Sequence, residues 1–160
     1  MQTRNNEKNT TMADKLFYSC LDPYVAAPQA EQHRLISKLA VELSGKIIFY
    51  GSEDFFVAAT QPFILPKLQR TPNLDGVIFF TLDQFCYSGE FNIKLLDQIV
   101  SRKLLVGFAR ENLTFKSHKC LSKFFLQLKA YAHCKSASVA VRALKITGAG
   151  LGAPASKTLS

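Results

Sequence analysis

The stretch "GVIFFTLDQF", Gly76 to Phe85, decides the fold. Val77 to Thr81 run without polar alternation and then break into a turn carrying Asp83 and Gln84. A strand with one wet face alternates, whereas an unbroken apolar run suits a strand covered on both faces. Three other stretches have the same character: "KLFYSCL" (15–21), stopped by Asp22-Pro23; "KIIFYG" (46–51); and "LLVGFA" (104–109), ending in Arg110-Glu111. Helical patterns separate them. After Pro28, placed as a first-turn residue, "QAEQHRLISKLAVEL" sets Leu35, Ile36, Leu39, Ala40 and Leu43 on one stripe, and Ser44-Gly45 ends it. "QPFILPKLQRTP" (61–72) gives a shorter helix or two turns interrupted by Pro66. "FNIKLLDQIVSRK" (91–103) has a stripe of Ile93, Leu96, Ile99 and Val100.

The order β-α-β-α-β-α-β predicts an α/β fold. It has three layers, with a mostly parallel sheet of four to five strands and helices on both faces, Rossmann-like or resolvase-like. "CLSKFFLQLKAYAHC" (120–134) adds a closing helix whose Leu121, Phe124, Phe125 and Leu128 can cover the sheet, while "SASVAVRALKI" (136–146) suits helix or strand. Residues 1–14 are polar and residues 136–160 are basic and rich in Gly and Ala. Both are expected to be disordered, which leaves 15–135 as a single domain.

The net charge of +8 is unevenly placed. All twelve acids lie at or before Glu111, and residues 1–114 carry twelve Lys and Arg to balance them. Lys116, Lys119, Lys123, Lys129, Lys135, Arg142, Lys145 and Lys157 supply the excess. Such a segment is either a solvated helix face with a loose tail or a contact for nucleic acid, anionic lipid or an acidic partner. It carries no helix-turn-helix, zinc-finger or RNP pattern, so nucleic acid is the less favoured partner. No apolar run approaches the roughly 20 residues of a membrane span, and the polar N-terminus has no signal-peptide core. The expectation is a cytoplasmic protein.

Cys20 sits in an apolar run and reads as a small buried hydrophobe. His118 with Cys120, and His133 with Cys134, suggest zinc, but one helix from Cys120 to Cys134 would hold the pairs about 21 Å apart. Ligands must lie about 2.0–2.3 Å from the metal, so no metal is assigned. No cofactor is assigned either, because GxGxxG, GxxxxGK[ST] and GxSxG are all missing. Cys86 lies where a nucleophile could stand, but no histidine is near it in the sequence, and His33 falls inside the first helix.

An acid follows every predicted strand: Asp22; Glu53 and Asp54; Asp83; and Glu111 beside Arg110. Open parallel sheets bind ligands beyond the carboxyl ends of their strands. Carboxylates gathered there could bind sugar hydroxyls, share protons or hold a cation. Against this, Asp and Glu are also ordinary caps and turn residues.

"PYVAAPQAEQHRLISKLA" (23–40), "GSEDF" (51–55) and "GVIFFTLDQFCYSGEFNIKLLDQIVSRKLLVGFARENLTF" (76–115) resemble the bacterial sporadic carbohydrate cluster proteins. Pro28-Gln29, Glu53, Gly76-Val77, and Ala109 with Glu111 stand at the matching places, and the likeness spans roughly residues 17–130. That family is named for its place among genes making surface polysaccharide or lipopolysaccharide sugars, and it implies a role in glycan synthesis without a defined reaction. Residues beyond about 136 depart from it. The fold also resembles the serine recombinase catalytic domain. There, however, Gln84 replaces the arginine of the Leu-Asp-Arg motif, and "CLDPY" has no serine at the nucleophile's place, so recombination is not expected.

If a sugar or sugar nucleotide is the ligand, Glu53, Asp83 and Glu111 are the candidate catalytic carboxylates. Asp22, Gln29 and Arg110 are then the binding residues, with Arg110 taking a phosphate or carboxylate. The alternative is a non-catalytic, resolvase-like binding module that uses its basic C-terminal segment on nucleic acid or an acidic partner. A third reading is a structural subunit of a homo-oligomer, with Phe55, Phe56 and Phe91 forming an exposed apolar patch.

Overall fold

The structure, a computed structural model, describes residues 12–53 and 63–135. The strand-forming run Lys15–Leu21 (β1) leads through a loop into α1, Gln29–Glu42. Pro28 is the residue just before that helix, with φ −57° and ψ 145°, rather than its first-turn residue. At the far end Ser44 takes φ 62°, the left-handed conformation that stops a helix. β2, Gly45–Ser52, follows. α2, Ile64–Arg70, contains Pro66 without interruption, because a proline in the first turn removes only an N–H that has no helical acceptor.

β3, Gly76–Phe79, is buried at every position and runs into a single 3₁₀ turn at Leu82–Phe85. A small hairpin of β4, Cys86–Tyr87, and β5, Glu90–Phe91, turns at Gly89 with φ 84°. α3, Ile93–Val100, starts on the Asn92 cap. β6, Leu105–Phe108, and β7, Leu113–Phe115, come next, and then α4, His118–Ser122. A last helix, α5, covers residues 125–135.

The main sheet has the order β2-β1-β3-β6-β7. β2, β1, β3 and β6 are mutually parallel, and β7 pairs antiparallel with β6. This is the mostly parallel α/β sheet expected from the unbroken apolar runs. β3 and β6 approach closely at Gly76, where a Cβ would stand 2.3 Å from the Leu105 carbonyl oxygen, so only glycine fits.

Alternate residues divide between two cores, as the two-residue period of a strand demands. Phe17, Leu21, Ile78 and Phe80 pack with Ile36, Leu39 and Ala40 of α1. Tyr18, Cys20, Val77, Phe79, Val106 and Phe108 pack with residues of α2, α3, α4 and α5. In the second core a ladder of rings joins Phe91, Phe85, Phe79, Phe108 and Phe115, with successive centroids 4.9–6.1 Å apart. Each such contact contributes roughly 0.5–1.5 kcal/mol beyond the burial of its area. The ladder fixes the 3₁₀ turn and the hairpin against the carboxyl ends of the strands.

Three further expectations change. The helix expected over 120–134 breaks at residues 123–124, where Phe124 N–H donates to Leu121 O three residues back, a tighter bond than the α-helical one. Leu121, Leu128 and Ala132 all reach the core across the break, and Phe124 sets its ring 5.6 Å from Phe115. Phe91 is not part of an exposed patch: it is 8% exposed and stacked on Phe85. Edge strand β2, by contrast, is open, and Phe49 and Tyr50 are exposed. Phe55, Phe56 and Asp54, the bulk of residues 1–14, and residues 136–160 lie outside the described residues. Among the described residues no helix is long and apolar enough to cross a membrane.

Candidate functional site at the carboxyl edge

Because β2, β1, β3 and β6 run the same way, the residues that follow them emerge on one edge of the sheet. Asp22, Glu53, Asp83 and Glu111 therefore share that edge, but they divide into two groups with different partners.

At the β1–β2 end the carboxylates face backbone. Asp22 Oδ1 accepts from the N–H groups of Tyr24 (2.9 Å) and Val25 (3.2 Å), a turn-forming arrangement. The buried Gln32 amide of α1 holds the Asp22 N–H at 2.9 Å and its carbonyl at 3.0 Å. Glu53 Oε1 accepts from Phe63 N–H at 2.6 Å, at the start of α2. Burial raises the Glu53 carboxyl above its ordinary range, and the backbone donors at Phe63 and Ile64 only partly oppose this. Gln29, the first residue of α1, is exposed.

The reversal of strand order between β1 and β3 is where open α/β sheets usually leave a crevice. Here the fully buried Gln84 fills it. Its Nε2 donates to the carbonyls of Leu21 (3.1 Å) and Glu53 (3.0 Å), and its Oε1 accepts from Thr81 N–H (3.1 Å). Thr81 Oγ1 accepts in turn from Asp83 N–H, so one capping box both closes the crevice and aims Asp83.

At the β3–β6 end the carboxylates face mostly side chains. Asp83 Oδ2 lies 3.0 Å from Arg110 Nη2 and 2.9 Å from Lys135 Nζ, and Asp83 Oδ1 accepts from the Tyr131 hydroxyl. Glu111 Oε1 accepts from Thr81 Oγ1 (2.8 Å) and Arg110 Nε (3.1 Å), and Oε2 accepts from Leu82 N–H (3.1 Å). Arg110 Nη2 also donates to the Tyr131 oxygen at 3.3 Å. Burial pushes the Asp83 carboxyl up, but the hydrogen bonds from Tyr131, Lys135 and Arg110 outweigh it and hold Asp83 below its usual value. Burial and then the Asp83 contact raise the Tyr131 phenol, so it stays protonated and donating. The cluster is partly open: the Arg110 and Lys135 side chains are 37% and 36% exposed, against 16% for Asp83.

Asp83, Arg110 and Glu111 are thus brought together. Asp22, Gln29 and Glu53 share the edge, but among the described residues none of their side chains bonds to that trio. Tyr131 and Lys135 escaped the sequence reading, as did the two structural glutamines, Gln32 and Gln84. Tyr131 and Lys135 are four residues apart on α5 and flank Ala132, which is 1% exposed, so they share one turn of the sheet-facing side. Cys86 lies beside this cluster, where burial pushes its thiol up to about 12. It donates to Leu82 O and is no thiolate nucleophile at neutral pH. Among the described residues no three His, Cys, Asp or Glu side chains are grouped to hold a metal ion.

No family model matches the chain, and neither a curated protein nor a solved structure shows significant similarity to it.

Proposed function

We propose that this protein acts in, or assists, the synthesis of surface polysaccharide or lipopolysaccharide sugars, binding a sugar or sugar nucleotide at the carboxyl edge of β3 and β6. The observation that carries the reading is the joined set Asp83, Arg110, Glu111, Tyr131 and Lys135, half-open at the edge where parallel sheets take ligands. Arg110 and Lys135 suit a phosphate or carboxylate, and the two carboxylates suit hydroxyl donors. Held in its charged form, Asp83 is an acceptor rather than a proton donor at neutral pH, so the geometry favours binding and orientation over acid catalysis. The likeness to sporadic carbohydrate cluster proteins supports the same direction.

The test is genetic and then biochemical. Deleting the gene in its host should change the surface glycan, and the wild-type copy should restore it. Copies carrying Asp83→Asn or Glu111→Gln should fail to restore it although the proteins remain folded. Full restoration by both folded variants refutes the site.

A second reading, a resolvase-like module that binds nucleic acid or an acidic partner, has one observation in its favour. Lys116, Lys119, Lys123 and Lys129 are all exposed around α4 and α5. Binding through them would weaken steeply with salt, because each phosphate contact releases counterions. Weak, salt-independent DNA binding removes it.

A further inference from the structure

The outer side of α4 and α5 takes no part in the Asp83 cluster. Leu121 of α4 and Leu128 and Ala132 of α5 enter one core. A residue two places before a buried helical one points about 160° away from it, at 3.6 residues per turn. Lys119, Leu126 and Ala130 stand at those places, and all three are exposed. Lys116, Lys123 and Lys129 are exposed around them, and among the described residues none of the four lysines is in an ion pair. Asp97 of the adjoining α3 is engaged by His118 at 2.5 Å and Glu111 by Arg110 at 3.0 Å, and the chain has no acid after Glu111. Within this uncompensated positive patch Leu126 is 80% exposed, more than any other large apolar side chain described except Met12. Phe124, two residues before it, is 38% exposed.

Charge and apolar exposure together select a partner. Duplex nucleic acid presents phosphates to the lysines but keeps its bases stacked inside, so Leu126 gains nothing there. An anionic bilayer meets both needs, with charged headgroups at its surface and acyl chains just beneath them. Lysines on long stems and a protruding leucine impose no rigid shape, which suits a fluid surface. We propose that the outer side of α4 and α5 docks on an anionic lipid bilayer, with Lys116, Lys119, Lys123 and Lys129 against the headgroups and Leu126 and the exposed edge of Phe124 entering the interface. Because α5 commits its apolar stripe to the core, only those two side chains enter, and the contact is shallow and reversible. The inference does not depend on what the Asp83 cluster binds.

The experiment mixes the full-length chain with vesicles of phosphatidylcholine alone, with vesicles of equimolar phosphatidylcholine and phosphatidylglycerol, and with duplex DNA. The anionic vesicles should bind far more tightly than the neutral ones, and the binding should weaken as salt rises. Lys119→Gln combined with Lys123→Gln should weaken it roughly twentyfold, since each lysine near an anionic surface is worth about fivefold. Leu126→Ser should weaken it several-fold. Both changes fall at exposed positions, so the melting temperature should not move. The chain has no tryptophan, so Leu126→Trp supplies a single reporter whose emission should shift to the blue on anionic vesicles. Equal binding to both vesicle types, binding to neither, indifference to Leu126→Ser, or an unshifted tryptophan spectrum overturns the inference. Tighter binding to DNA than to anionic vesicles, lost with the lysines but not with Leu126→Ser, gives the patch to nucleic acid and overturns it as well.

Discussion

One edge of one sheet carries two groups of acids, and they do opposite things. Asp22 and Glu53, beyond β1 and β2, direct their carboxylates at backbone N–H groups of their own turns and of the start of α2. Asp83 and Glu111, beyond β3 and β6, direct theirs mostly at an arginine, a lysine, a phenol and a threonine hydroxyl. A carboxylate committed to backbone cannot change partners without unmaking the turn. One held by long, half-exposed cations can exchange them for a ligand's hydroxyls while the fold persists. The difference shows why an acid after a strand is weak information taken alone: its role is set by what the neighbouring elements bring to it. Gln84 is the divider, because it fills the β1–β3 crevice and leaves the β3–β6 end as the part of the edge that side chains can open.

The largest effect should come from breaking that divider. Gln84→Ala leaves Leu21 O, Glu53 O and Thr81 N–H without their partner in a buried site. Roughly 3–5 kcal/mol of stability should be lost, since each unsatisfied group costs about 1–3 kcal/mol and partial relaxation recovers some of it. Urea unfolding measures this directly. A loss below 1 kcal/mol would mean that the crevice is not closed by this amide.

Asp83→Asn comes next, at roughly 2–3 kcal/mol near pH 7, because two cations then face a neutral amide in a partly buried place. Its pH dependence has a definite sign. The folded-state value of Asp83 is depressed, so its contribution is complete above the unfolded value of about 3.9 and is lost as pH falls through the lower folded value. The Asn variant should lack that acid-side loss. If wild type and variant lose stability in parallel below pH 4, the cluster is not the latch described.

What the sequence disclosed follows the same divide. β1, β3, β6 and α1 announce themselves because burial on both faces, or on one stripe, imposes long patterns on the residues, and β2 shows a similar apolar run although it is an open edge. β7, with the three residues of "LTF", and the two-residue strands of the hairpin are too short to carry a period, and their pairing is dictated by Phe85, Phe91 and Phe115 joining the ring ladder. Asp83, Arg110 and Glu111 are legible from their places after strands. Tyr131 and Lys135 reach the site from a helix that follows the last strand, where no strand-end position marks them in the sequence. Gln32 and Gln84 look like surface residues in a sequence, since nothing in an amide's identity reveals that carbonyls will surround it.

Lys135→Met tests how exchangeable the open end is. The ion pair with Asp83 is about a third exposed on the lysine side, so the loss should stay near or below about 1 kcal/mol. It should also shrink as salt rises, because screening at 1 M salt acts over only about 3 Å. A cost that matches Gln84→Ala and ignores salt would erase the contrast between the two ends.

The smallest effect, Glu53→Gln, gives the contrast its sharpest form, because the sign of the pH response should reverse. Burial raises the folded-state value of Glu53, so the folded protein keeps that proton longer than the unfolded chain. As pH climbs from the unfolded value of about 4.3 through the raised folded value, wild type gives up stability that the non-titrating glutamine never had to lose. The glutamine keeps an oxygen for Phe63 N–H, so near neutral pH the two proteins should differ by no more than about 0.5 kcal/mol. Denaturation midpoints taken every half unit from pH 3 to 7 would show wild type losing stability relative to the variant with rising pH at this position, while at Asp83 the wild-type advantage shrinks toward acid. Two acids on one rim with the same pH response would mean that their environments do not differ as their partners imply.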